Sequence, residues 1–223
     1  MNVLITGANR GIGLGFVKHY LQQGWQVWAC YRDDNHALNA LASENLHLVQ
    51  WDVTESQPQQ GNLPESLDLL INNAGIYGPA KQAGQELCTI TSETMMRVFE
   101  VNCVGAIQVA QRLRPALAAA NGRIANISSK MGSSADNSSG SCYAYRAAKA
   151  ALIISSKSMA IDLLDEGVKV ITLHPGWVQT DMTQQSGEIT VSTSVNGMLR
   201  VIENIDHYPI GAFVAYDGEA IPY

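Results

Sequence analysis

Val3-Leu4-Ile5-Thr6-Gly7-Ala8-Asn9-Arg10-Gly11-Ile12-Gly13 runs from a β-favouring apolar segment into a turn with three glycines, and residues 14–23 behind it carry helical patterning. Strand, glycine turn and helix in that order form the first βα junction of a parallel α/β sheet. Glycines let backbone amides come close to a phosphate, and the start of the helix offers unsatisfied N–H groups and the positive end of its dipole. A pyrophosphate is the natural guest, which makes Gly7, Asn9, Arg10, Gly11, Ile12 and Gly13 candidate cofactor contacts. Glycines in a tight turn can also serve packing alone; the position directly after the first strand favours the nucleotide.

Outward from this junction, strand-like apolar runs recur at residues 3–6, 25–31, 46–51, 67–71, 123–128, 169–174 and 211–216, with helical periodicity in most of the gaps. The runs are apolar without clean alternation, as expected of strands covered on both faces. The chain is therefore expected to form a single doubly wound, Rossmann-type domain over residues 1–223. It would hold a seven-stranded parallel sheet with helices on both faces and a ligand at the strands' carboxyl ends. Residues 54–65, broken by Pro58, Gly61 and Pro64, and the polar residues 183–193 read as loops, the first replacing a crossover helix with something shorter.

Composition narrows the function. With 223 residues and 46% hydrophobic content, one sizeable core is expected rather than two domains. A net charge of −6 with scattered cations offers no footprint for nucleic acid or an anionic membrane, so a small-molecule substrate is expected. No apolar run approaches bilayer length, and the early strand leaves no room for a signal peptide, so a cytoplasmic location is expected. Cys30, Cys88, Cys103 and Cys142 lack metal-ligand spacing and read as buried thiols, with no metal expected.

The reactive groups lie further along. Tyr145 and Lys149 stand four residues apart in an alanine-rich stretch that favours helix, so both fall on one face. An ammonium beside a phenol favours the phenolate, and the expectation is a tyrosine with a lowered pKa fit for acid–base work. Tyr77 and Lys81 repeat the spacing, but Gly78 and Pro79 between them spoil the helix. At the end of the second strand, which faces the adenosine ribose in such folds, the chain reads Tyr31-Arg32-Asp33. An acidic residue there would accept from a free 2′-hydroxyl, while an arginine would hold a 2′-phosphate. Tyr31 in the acidic slot, Arg32 after it and Arg10 as a second cation favour NADP(H) over NAD(H); a register shift of two would bring Asp33 in instead.

Over nearly the whole chain the motif order resembles the classical short-chain dehydrogenase/reductase family. The carriers are the Gly7-x-x-x-Gly11-x-Gly13 loop, Asp52-Val53, Asn72-Asn73-Ala74-Gly75, Asn102, Ile127-Ser128-Ser129, Tyr145 with Lys149, and Pro175-Gly176. Met131-Gly132-Ser133, Asp136-Asn137, Tyr143-Ala144-Tyr145-Arg146, His174-Pro175-Gly176-Trp177-Val178 and Tyr216-Asp217-Gly218 resemble more narrowly the branch of C-factor-like proteins and sniffer-type carbonyl reductases. The resemblance implies that Tyr145 is the proton donor and acceptor, and that Lys149 tunes it and binds the nicotinamide ribose. Ser129 would hydrogen-bond the reacting oxygen, with Ser128 as competitor and better suited to a strand-end cap. It further implies that Asn102 distorts its helix to hold a water, that Asp52 and Val53 meet the adenine, and that Asn73, Ala74 and Gly75 run beside the adenosine ribose. Pro175, Gly176, Val178 and Thr180 would grip the carboxamide. Helices 101–120 and 143–164 resemble those that pair subunits, implying a homodimer or homotetramer.

Two departures bear on the substrate. Residues 133–141 form an extended serine-rich wall between Ser129 and Tyr145, and the loop after Thr180 is short for a lid, so an open pocket tolerant of varied carbonyls is expected. His174 reads as a satisfied structural group. The leading reading is an NADP(H)-dependent oxidoreductase, a carbonyl reductase; the alternative is a dinucleotide-binding, C-factor-like regulatory protein with little turnover. A dehydratase or epimerase would need acid–base groups absent from the motifs.

Overall fold

A computed structural model describes residues 1–41, 43–79 and 84–223, and shows seven parallel strands in one sheet. They are β1 (Asn2–Ile5), β2 (Gln26–Tyr31), β3 (Leu46–Gln50), β4 (Leu69–Asn72), β5 (Arg123–Ile127), β6 (Lys169–His174) and β7 (Phe213–Ala215), in the order β3-β2-β1-β4-β5-β6-β7. The helices are α1 (Gly11–Gln22), α2 (His36–Asn39), α3 (Ser92–Phe99), α4 (Gly105–Ala120), α5 (Tyr143–Asp162) and α6 (Val191–Glu203). The chain reverses its direction of travel across the sheet between β1 and β4, the crevice where such folds bind ligands.

Alternate strand residues feed two separate cores, which is why the strands read as uninterrupted apolar runs. Val3, Ile5, Leu69, Ile71, Ala125, Ile127, Ile171 and Leu173 pack with Phe16 and Val17 of α1 and Met198 and Ile202 of α6. Leu4, Leu70, Ile124 and Val170 face the other way, onto Val109, Leu113 and Leu117 of α4. No helix lies between β3 and β4, as the broken stretch 54–65 implied.

Three of the boundaries that differ from the sequence expectation have a visible local cause. β4 runs on through Asn72, because its buried amide donates to the Asn126 side chain of β5 (2.9 Å) and the Ala106 carbonyl (3.2 Å). The helix expected from residue 101 is preceded by α3 and a π turn over Glu100–Val104, which places Asn102. α6 begins inside the expected loop 183–193, where the Thr190 hydroxyl accepts from the Thr193 N–H at 3.1 Å. No described helix is long and apolar enough to cross a membrane.

Candidate active site

The glycine turn is locked to the end of β4. Thr6 Oγ1 accepts from the N–H groups of Asn73 and Ala74 at 3.0 Å each, and the Asn73 amide donates to the Thr6 and Gly7 carbonyls, also at 3.0 Å. Gly7 has φ 61°, and a Cβ at Gly13 would lie 2.2 Å from the Gly7 oxygen, so neither position takes a side chain. No side chain caps α1 and its first turn holds no acid, which leaves the amides at its start turned to an anion. Thr180 closes on this turn from the loop after β6; its methyl would be 3.4 Å from a Cβ at Gly11. Asn9 ties the turn to the chain beyond β2 through the Asp34 carbonyl (2.9 Å). A cradle of bare backbone at a helix start fits a dinucleotide pyrophosphate.

Beyond the cradle lies an open depression of about 400 Å³, lined in part by Arg32, Asp52 and Arg97. Burial alone would raise the Asp52 pKa, yet bonds from the Thr54 N–H (3.0 Å) and hydroxyl (2.8 Å), with Arg97 and Arg32 nearby, hold it below the usual carboxylate value. The Arg32 Nε pairs with Asp33 at 2.6 Å. Both groups are exposed, and pairs of that kind contribute only about 0–1 kcal/mol. Val53 is buried against Gly105, where a Cβ would lie 2.8 Å from it.

At the other end, the segments that follow β4 and β5 meet Tyr145 through Tyr77 and Ser129. Asn102 grips Ile76 twice, donating to its carbonyl and accepting from its N–H at 2.8 Å each. A Cβ at Gly75 would sit 3.0 Å from Asn102 Oδ1 and 3.6 Å from Lys149 Nζ, so glycine leaves room for both. Lys149 is buried; its Nζ donates to the Ile127 carbonyl (2.8 Å) and lies 5.8 Å from the Tyr145 ring centre. Burial pushes Lys149 down to about 8. The phenol moves opposite to expectation: burial pushes Tyr145 up to about 12, and the Ser129 hydroxyl beside it only partly offsets this.

The cap expected of Ser128 falls on Ser129 instead. Ser129 is the cap, accepting from the Met131 N–H at 3.2 Å while facing Tyr145, whereas the buried Ser128 hydroxyl donates to the Lys149 carbonyl at 3.0 Å. Pro175 and Gly176 turn the chain at the end of β6; Gly176 has φ 85°, and the Pro175 carbonyl accepts from Ser194 at 2.5 Å. Val178 is buried and bridges to Ile189. His174 is not satisfied, since its buried Nδ1 has no partner among the described residues, and burial pushes its pKa down to about 4. Cys88 is exposed, unlike Cys30, Cys103 and Cys142. Lys81 lies outside the described residues.

Sequence reasoning missed four residues. Tyr77, set aside because Gly78 and Pro79 break the helix, packs its ring 5.0 Å from that of Tyr145. Its hydroxyl meets Cys142 Sγ at 2.9 Å. Gln85 lies behind both, and Arg146 braces the wall at residues 139–141. The only sequence signal was for Arg146, adjacent to Tyr145.

The short chain dehydrogenase family description matches residues 1–190. The chain belongs to that family. Among its relatives, C-signal of Myxococcus xanthus is 40% identical over 158 residues, covering 70% of this chain and 93% of that one. Among solved structures, the NADPH-bound carbonyl reductase from chicken fatty liver superposes with a TM-score of 0.89 at 33% identity, over 100% of this chain and 98% of that one. Carbonyl reductase Sniffer of D. melanogaster gives 0.89 at 30% identity, over 100% and 99%. This short-chain dehydrogenase thus sits with the C-factor and sniffer branch.

Proposed function

We propose that the chain, acting as one domain over residues 1–223, is an NADP(H)-dependent oxidoreductase that reduces a small-molecule carbonyl to an alcohol. One observation carries the reading: a buried phenol, a serine hydroxyl and a lysine ammonium meet where the sheet ends beyond the glycine cradle. Gly7, Asn9, Arg10, Gly11, Ile12 and Gly13 would hold the pyrophosphate; Tyr31, Arg32, Asp52, Val53, Asn73, Ala74 and Gly75 the adenosine half; Tyr145, Lys149, Pro175, Gly176, Val178 and Thr180 the nicotinamide half. When bound, the dinucleotide supplies the hydride.

Ser129 donates a hydrogen bond to the substrate oxygen, aimed where negative charge grows. Tyr145 Oη then gives up its proton. The forming alkoxide is far more basic than a phenolate, so even a phenol near 12 delivers downhill. Lys149, still mostly charged at neutral pH with a pKa of about 8, balances the phenolate left behind. Asn102 holds the Ile76 backbone so that Gly75 stays clear of the ammonium.

NADPH oxidation with a reactive dicarbonyl tests the reading. Tyr145→Phe keeps the ring and removes the proton, and is expected to slow turnover by about 10²–10⁴-fold; equal rates reject the mechanism. Arg32→Ala should weaken NADPH binding about tenfold more than NADH binding, as loss of one charge-assisted phosphate contact implies. An unchanged ratio rejects the preference for the 2′-phosphate. Similarity to C-signal supports a second reading, a regulatory dinucleotide binder with little turnover; absence of turnover on every carbonyl with NADPH still bound would favour it. The expected setting is the cytoplasm, as a homodimer or homotetramer.

A further inference from the structure

The amino end of α5 lacks a cap of its own. Cys142 holds the capping position in the left-handed region (φ 55°) and its side chain accepts nothing from the first turn. N–H groups at a helix start need acceptors from elsewhere. Gln85, fully buried, supplies them: its Oε1 accepts from the Tyr145 N–H at 3.2 Å, and its backbone carbonyl from the Tyr143 N–H at 3.4 Å. The same amide reaches the opposite way. Its Nε2 donates to the Tyr77 carbonyl at 2.7 Å and the Pro79 carbonyl at 3.1 Å, with Gly78 at φ 91° turning the chain between them. Three of the four hydrogen-bonding positions of one amide are therefore used inside the protein.

The circuit closes through side chains. Tyr77 packs its ring on Tyr145, and its hydroxyl meets Cys142 at the start of α5. Every link leads to the residue that carries the proton, and the Gln85 side chain holds both the helix end and the Tyr77 segment. We propose that Gln85 is a positioning residue for the proton-transfer step: it fixes Tyr145 at the start of α5 and holds Tyr77 against it. The proposal rests on the reductase reading for its chemistry. Its geometry can be tested apart from turnover.

The test compares the full chain with Gln85→Leu, which keeps bulk without polar atoms, and Gln85→Glu. Three quantities are measured: kcat and KM for a reactive dicarbonyl, NADPH affinity by fluorescence, and the rate of Cys142 alkylation by iodoacetamide, mapped by mass spectrometry in a Cys88→Ser background. Cys142 is 4% exposed and should be protected in the parent. Gln85→Leu is expected to lower kcat by about 10–100-fold, the penalty of a misplaced acid, with KM and NADPH affinity within about twofold. Cys142 alkylation should rise about tenfold or more as Tyr77 is released. In Gln85→Glu the ionised carboxylate cannot donate to the two carbonyls, whereas the protonated acid can donate to one. Its kcat should therefore recover as pH is lowered, a rescue absent from the parent profile.

Unchanged kcat with Cys142 still protected in Gln85→Leu overturns the proposal. So does a uniform loss of kcat, KM and NADPH affinity without recovery of Gln85→Glu at low pH, which marks a purely structural role. If the parent reduces no carbonyl, the reductase reading fails by itself, and the alkylation arm alone decides whether Gln85 positions the Tyr77–Cys142–Tyr145 cluster. If Gln85→Leu does not fold, the pH series of Gln85→Glu decides.

Discussion

Burying an ammonium near a buried phenol moves the two titrations in opposite directions, because each is disfavoured in its charged form. Lys149 loses its proton from about 8 and Tyr145 keeps its own to about 12. The proposed carbonyl reduction would need a proton on Tyr145 and a charge on Lys149. The first is present throughout the neutral range, while the second is lost as pH rises through about 8. kcat/KM, which reports the free enzyme, should be level below about pH 7 and fall roughly tenfold per unit above about 8. An alkaline limb near the ordinary lysine value of 10.5 would show that Lys149 does not control the rate. Stability follows different signs. Between about 8 and 10.5 the unfolded chain holds a Lys149 proton the native state has shed, so stability rises with pH; above 10 the native state keeps the Tyr145 proton, so stability falls toward 12. The motif residues were legible because order along the chain carries them. Gln85 and Tyr77 were not, since their partners stand 60 and 65 residues away and only the fold brings them together.

Among the elements, the serine-rich segment that the sequence describes as an extended wall is braced from both sides. Arg146, one residue past the catalytic candidate, donates to the carbonyls of Gly140, Ser141 and Met131 at 3.2 Å each and to the Ser139 hydroxyl at 2.9 Å. From the far side, the Ser133 hydroxyl donates to the Pro222 carbonyl at 2.5 Å, and the Ala135 N–H to that of Tyr223 at 3.1 Å. Arg146→Ala should loosen this wall, raising KM for the carbonyl by about three- to tenfold with less change in kcat. Lost charge-assisted bonds on the order of 2 kcal/mol correspond to a fall in Tm of about 4–8 °C at this length. Arg146→Lys keeps the charge but not the fork, and should recover less than half of the loss. Wild-type KM and Tm in Arg146→Ala would show that the wall stands without it. The loop after Thr180, read as short for a lid, is likewise anchored: the Gln179 N–H donates to the Ile189 carbonyl at 2.9 Å, and Thr180 and Thr183 cap each other's turn. Element types were readable from periodicity. The π turn at Glu100–Val104 was not, because apolar spacing continues through it, and the start of α6 hid because Thr190, Ser192 and Thr193 make a capping turn look like a polar loop.

For the whole molecule, the alternation of strand residues between two cores explains the layered fold, yet one surface is left apolar. Ile154 and Ile161 are 63% and 58% exposed on α5, seven residues apart and so on one helical face, with Leu164 and, on α4, Ile107 also exposed. Side chains of this kind gain about 1.5–3 kcal/mol each on burial, a gain that would favour a contact between two copies through α4 and α5. Light scattering after size exclusion should give a mass of two or four chains at micromolar concentration. Ile154→Asp with Ile161→Asp places carboxylates where a dry contact is expected, and should give monomers. A monomeric parent, or an unchanged assembly in the double variant, rules out this face as the contact. Because α5 also carries Tyr145 and Lys149, the monomeric variant has a second readout: if pairing steadies that helix, its kcat falls while NADPH affinity holds, and if both hold, the site is complete within one chain.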